Sequence, residues 1–172
     1  MMKWRKLSER IFFFLLLIGL FLGGWQLISH YFKQQIIEQQ ESYLTKKGQL
    51  LIHQLDINDL SSSTNQTVLT EFVHQSDERL TLLDPNGKIL FDTTNHSLSG
   101  QRDSRPEIKA ILDGGSLGTS LRVSETLKKE LLYVALPIKK NGQLEAIARI
   151  AEPTSGFLPR TENFRRWVFF FF

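Results

Sequence analysis

From Ile11 to Trp25 the chain reads Ile-Phe-Phe-Phe-Leu-Leu-Leu-Ile-Gly-Leu-Phe-Leu-Gly-Gly-Trp, with no charged, amide or hydroxyl side chain. Leu27 and Ile28 prolong the run past Gln26, and no charge falls between 11 and 29. An 18-residue helix rises about 27 Å, close to the ~30 Å hydrocarbon core of a bilayer. This predicts a transmembrane helix over 11–29, and the remainder must fold on the two sides of a membrane. Lys3, Arg5, Lys6 and Arg10 precede it against a single Glu9, and Trp4 and Trp25 bracket it. By the positive-inside rule residues 1–10 form a cytoplasmic basic tail, and residues 30–164 lie outside. A cleaved signal peptide would share the basic start, but its apolar region is shorter and ends at an Ala-x-Ala-like site, whereas this run ends Gly-Gly-Trp-Gln-Leu-Ile-Ser-His.

At the far end, Arg165-Arg166-Trp167 leads into Val168 and four Phe. Six apolar residues cannot span a bilayer. The expectation for 158–172 is a linker and the start of a truncated second transmembrane helix, leading back to the cytoplasm. The basic balance also belongs to these ends: residues 1–10 carry +3, residues 158–172 carry +2, and 30–157 carry −2. A mildly acidic middle argues against a nucleic-acid partner. Zero cysteines exclude disulfide scaffolds, thiolate metal sites and cysteine nucleophiles.

Residues 30–76 read as a juxtamembrane stalk and a second helix. Ile37, Leu44 and Leu51 recur every seven residues and are joined by Ile36, Tyr43 and Leu55, giving a helix with one apolar stripe. That stripe suits packing on the chain's own domain or on a twin in a homodimer, and the two can coexist. After the polar loop Asp59–Asn65, Val68, Leu69, Phe72 and Val73 predict a short amphipathic helix. Residues 77–157 change character. Arg79–Asp84, Asp84-Pro-Asn-Gly, then Lys88–Asp92 read as strand, tight turn, strand. A helix follows over 103–113, with Ser104 as N-cap, Pro106 near its first turn and Gly114-Gly115 as its stop. Strands at 118–124, 131–137 and 143–151 complete a meander, the last two joined by Lys139-Lys-Asn-Gly. The expected architecture is α+β: a five-stranded antiparallel sheet with helices on one face.

Four segments in order, Arg79–Asp92, Ser104–Gly114, Leu121–Leu127 and Leu132–Pro137, resemble the extracytoplasmic sensor of PhoR-type membrane histidine kinases. The resemblance implies a PAS-like (Cache/PDC) fold whose long N-terminal helix is continuous with the transmembrane helix. It further implies a homodimer in a two-component system, a cognate response regulator, and a stimulus such as phosphate limitation or cell-wall stress. ATP and magnesium would serve the intact kinase, and this chain holds no cofactor of its own. Its histidines are followed by Tyr31, Gln54, Gln75 and Ser97, never by the acidic residue that usually follows a phosphoacceptor. Asp113-Gly-Gly-Ser-Leu-Gly has the look of an ATP lid but directly follows a helix, which it stops. No catalytic or metal-ligating residues are expected in this chain. The same sensor type on a chemoreceptor, a membrane-bound cyclase or a kinase-less membrane regulator is the alternative.

The candidate ligand site consists of Arg105, Arg122 and Arg149 with hydroxyls from Ser124, Thr126 and Tyr133. Around the pocket of a PAS-like sheet these could converge on a small anion, since guanidinium forks suit carboxylate and phosphate. Strand alternation puts Arg122 and Ser124 on one face. Alternatively, each arginine pairs with Glu107, Glu125 or Asp92 and locks loop to sheet. Asp84 and Asp92 are turn and strand-end residues. Asn65-Gln-Thr and Asn95-His-Ser match the glycosylation triplet, a pattern that arises readily by chance.

Overall fold

The computed structural model describes residues 2–57, 59–60, 62–74, 78–93, 101–125 and 127–157. The second apolar segment at 158–172, the Asn95 triplet and Thr126 lie outside the described residues. The chain forms two compact units, 1–38 and 39–172. One helix, α1 (Met2–Gln54), runs without interruption from the N-terminus. Mean hydropathy reaches 2.3 in its most apolar stretch, where no residue is buried, so it is long and apolar enough to cross a membrane.

The second unit contains the end of α1, then α2 (Ser63–His74), β1 (Arg79–Leu83), β2 (Ile89–Asp92), α3 (Pro106–Leu112), β3 (Gly118–Val123), β4 (Glu130–Lys140) and β5 (Gln143–Pro153). The five strands form one antiparallel sheet in the order β2-β1-β5-β4-β3. Both tight turns follow the local chemistry. Asp84 Oδ1 accepts from the backbone N–H of Asn86 and Lys88 at 2.9 and 2.8 Å, and Gly87 takes φ +79°. Asn141 and Gly142 both have positive φ, as a two-residue hairpin of type I′ requires.

The helices occupy both faces of the sheet, not one. Alternation along β4 and β5 puts Val134, Leu136 and Ile150 on one face and Tyr133, Ala135, Ile147 and Arg149 on the other. The end of α1 covers the first face. A Cβ on Gly48 would stand 2.6 Å from Leu136 Cδ1 and 3.0 Å from Ile150 Cδ1, so glycine lets the helix lie close to the strands. Leu44, Leu51 and Leu55 of the predicted stripe are buried, Ile36 and Ile37 are half-buried, but Tyr43 is exposed. Lys47 reaches off the helix to Glu78 at 2.7 Å, its ammonium 5.2 Å from the Phe72 ring of α2. Helix α3 covers the second face, where Ile108 and Ile111 pack on Leu83, Ala135 and Ile147.

One local expectation is corrected. The N-cap of α3 is Arg105, not Ser104, and no side chain caps it; Pro106 takes the first helical position, where a missing N–H costs nothing. Asn65 offers no open glycosylation site. It is fully buried, its Nδ2 donating to the carbonyls of Asp56 and Asp59 at 2.8 and 2.9 Å and its Oδ1 accepting from Asp56 N at 2.8 Å.

Candidate functional site

The register of the sheet gathers polar residues at one end of the α3 face. Thr81 on β1 faces Asp92 on β2 and Arg149 on β5, while Tyr133 on β4 faces Ser120 on β3 and Ala151 on β5. Arg79 and Arg122 each lie two residues along from Thr81 and Ser120, hence on the same face.

A buried carboxylate organises this cluster. Glu107, in the first turn of α3, has no exposed surface. Its Oε2 accepts from Ser120 Oγ at 2.6 Å, and its Oε1 from Arg149 Nε at 2.9 Å and Arg122 Nη2 at 3.1 Å. Burial pushes the Glu107 carboxyl up, but the Ser120 hydroxyl, the Arg149 charge and the Arg122 bond together hold it below its ordinary 4.5. Burial draws Arg149 below the usual guanidinium value, against the opposing pull of Glu107. Glycine at 118 makes the approach possible. A Cβ there would stand 1.9 Å from the carbonyl oxygen of Glu107. Both guanidiniums also stand over the Tyr133 ring, their carbons 4.1 and 4.2 Å from its centroid.

Two further pairs flank this centre. Arg79 Nη2 donates to Asp92 Oδ2 at 2.8 Å, and Thr81 Oγ1 donates to the same oxygen at 2.9 Å. Arg105 makes a two-point pair with Glu125, Nη1 to Oε1 at 3.2 Å and Nη2 to Oε2 at 2.9 Å. That bond raises the pKa of Arg105 and lowers that of Glu125. Glu125 is largely exposed, with 72% of its side-chain surface open.

A cavity of about 190 Å³ lies between these groups. Arg79, Arg102, Arg105, Arg122 and Arg149 all line it, with Tyr133, Ser124 and Glu125. Five of the six predicted site residues therefore share one cavity, and the sixth, Thr126, lies outside the described residues. The alternative expectation holds as well. Arg105, Arg122 and Arg149 each pair with one of the acids named for that role, so the same side chains form an ion-pair network and line a cavity. Asp92 is more than a strand-end residue, since it anchors Arg79.

Arg79 was missed as a lining residue, although its i, i+2 relation to Thr81 and the nearby Asp92 were visible. Arg102 joins the lining, and among the described residues it makes no ion pair. Among the described residues the five arginines stand against three carboxylates paired with them, Asp92, Glu107 and Glu125, two fewer carboxylates than arginines.

Comparison with known proteins agrees with this architecture. No curated protein sequence matches the chain. Among solved structures, the ligand-binding domain of the Campylobacter jejuni chemoreceptor Tlp3 in complex with 4-methylisoleucine superposes with a TM-score of 0.58 at 15% identity, over 72% of this chain and 55% of that one. The ligand-binding domain of the Pseudomonas fluorescens chemoreceptor CtaA in complex with L-isoleucine gives 0.52 at 13% identity, over 72% and 54%. The Bacillus subtilis YkuI protein, which has an EAL domain, gives 0.54 at 17%, over 76% and 36%. The chain thus spans little more than half the length of these chemoreceptor domains, and the likeness is one of fold. The single Cache-like family matches residues 34–151, which include α2, α3, nearly the whole sheet and every described residue of the cavity. The chain belongs to the single Cache-like family of sensor domains.

Proposed function

We propose that the chain is the input part of a transmembrane receptor and that its cavity binds a small anion carrying two negative charges, such as phosphate or a short dicarboxylate. The charge excess supports this most directly: five arginines line one cavity and, among the described residues, three carboxylates are ion-paired with them. A network serving structure alone gains nothing from unneutralised guanidiniums held together, whereas a site for a dianion needs them. The volume is below the ~300–1,000 Å³ of sites for drug-sized ligands, which suits a metabolite of few heavy atoms.

A ligand acts across the membrane only by binding one arrangement of the receptor better than another. The element able to carry that difference is α1, which is continuous from the apolar segment to the residues packed on the sheet. In this reading the receptor is a homodimer with its N-terminus in the cytoplasm. Its output is a two-component kinase acting on a response regulator, an assignment that rests on the PhoR-like segments.

A chemoreceptor output is the second reading, favoured by the fold shared with Tlp3 and CtaA. The amino acid bound by each carries one carboxylate, which the arginines here would also accept. The coding sequence downstream of Phe172 separates the two: a His-Glu or His-Asp phosphoacceptor helix for the kinase, a long heptad hairpin for the chemoreceptor.

The binding claim is tested by calorimetry of the full chain in nanodiscs with inorganic phosphate, succinate, acetate and L-isoleucine. Saturable one-to-one binding of a dianion is expected, and Arg102→Gln should weaken it about tenfold, the usual worth of one charge-assisted hydrogen bond. Silence with all four probes would leave the arginines a purely structural role.

A further inference from the structure

Glu125 is unlike the other two carboxylates of the cluster. Glu107 is wholly buried and Asp92 nearly so, each fixed by a hydroxyl as well as by arginine. Glu125 is exposed at the rim, and Arg105 is the partner that holds its carboxylate, through both oxygens. The pair is arranged as an arginine fork and a ligand carboxylate would be. The backbone beneath it is anchored: buried Ser124 donates its N–H to Lys129 O at 2.8 Å and accepts at Oγ from Leu127 N at 3.2 Å, and its carbonyl accepts from Lys128 N at 2.9 Å. Lys128 takes φ +53° to close this loop. The carboxylate is thus tethered within reach of Arg105, while its exposed side chain remains free to swing into solvent.

We infer that Glu125 is a built-in competitor of the ligand: its carboxylate holds Arg105 in the empty state, and an incoming anion takes that fork as Glu125 swings out. This rests on the reading of the cavity as an anion site and adds what sets its affinity. The displaced carboxylate meets water at once, since most of its surface is already exposed. Glu107 has no such exit and stays as the floor. The exchange also gives ligand binding a mechanical output, because Glu125 belongs to the β3–β4 loop while Arg105 opens α3. A bound anion therefore uncouples that loop from α3.

The arithmetic is that of a site only partly available to its ligand. If Arg105 is held by Glu125 for about 70–90% of the time, freeing it tightens apparent binding about three- to tenfold. A general change in local charge would do something similar, so the test is a cycle. Phosphate and succinate titrations compare the full chain in nanodiscs with Glu125→Gln, Arg105→Gln, the double variant and Asp103→Asn, which removes one exposed acid beside Arg102 without touching the cavity lining.

The expected pattern is tighter binding in E125Q, weaker binding in R105Q, less than a twofold effect of E125Q in the R105Q background, and less than a twofold effect of D103N. If E125Q tightens binding equally with and without Arg105, or if D103N matches it, Glu125 acts only through its charge and the competitor is refuted while the anion site stands. If the wild-type chain binds an anion and E125Q leaves its affinity unchanged, the result is the same. No binding in any variant removes the anion site and the competitor together.

Discussion

Replacing Glu107 by glutamine isolates the charge at the centre of the cluster. Glutamine has the same shape, so no cavity opens. Its amide oxygen can accept from Arg149 and Arg122 as Oε1 does now, and its NH₂ can donate to Ser120 Oγ, a hydroxyl able to reverse its role. What disappears is the negative charge between two guanidiniums. Removing one partner of a buried ion pair costs about 3–5 kcal/mol. Arg122 keeps 21% of its side-chain surface exposed and the hydrogen bonds survive, which places the cost near the lower end.

For a unit of about 130 residues each kcal/mol lowers the melting temperature by roughly 3–5 °C, so E107Q should melt about 10 °C below wild type at neutral pH. Differential scanning calorimetry of the full chain in nanodiscs reads this directly. A melting temperature within about 2 °C of wild type would mean that Arg122 and Arg149 do not need Glu107, and the account of the site floor would fail.

Three further outcomes follow from the same geometry. Gly118→Ala sets a Cβ 1.9 Å from backbone of α3, which cannot yield as a side chain would, and should cost at least about 1–3 kcal/mol in thermal unfolding, whereas Gly48→Ala meets only the flexible ends of Leu136 and Ile150 and should cost less. Asn65→Ala removes the hydrogen bonds that a fully buried side chain makes to Asp56 N and to the carbonyls of Asp56 and Asp59, and should lower stability by about 2–3 kcal/mol, with faster proteolysis after Gln54. Because the folded pKa of Glu107 lies below its ordinary 4.5, its contribution is complete above that value and is lost as pH falls through the folded value. Melting temperature should therefore decline below about pH 4.5, and less steeply in E107Q.

Where local chemistry decides a turn or a span, the sequence was enough. The apolar run, the Asp84-Pro-Asn-Gly turn and the Asn141-Gly142 hairpin needed no distant contact to be read. Helices cover both faces rather than the expected one, and the signal for this is in the sequence: Leu131–Pro137 is apolar at nearly every position, which means a strand covered on both sides. The arginines at 105, 122 and 149 were identified because the resemblance supplied a topology in which distant strands meet. In the sequence Glu107 reads as a pairing partner for an arginine. Its role as a shared floor depends on α3 lying against Gly118, a tertiary approach that a glycine in a strand hints at but does not specify.

The central claim is that the cavity holds charge in reserve for a dianion. Succinate and butyrate share a four-carbon skeleton and differ by one carboxylate, so titrating both into the full chain in nanodiscs at one ionic strength measures that reserve directly. The excess of lining arginines over the carboxylates paired with them among the described residues predicts that succinate binds at least about tenfold more tightly than butyrate. Equal affinities, or no saturable binding of succinate, would contradict the claim.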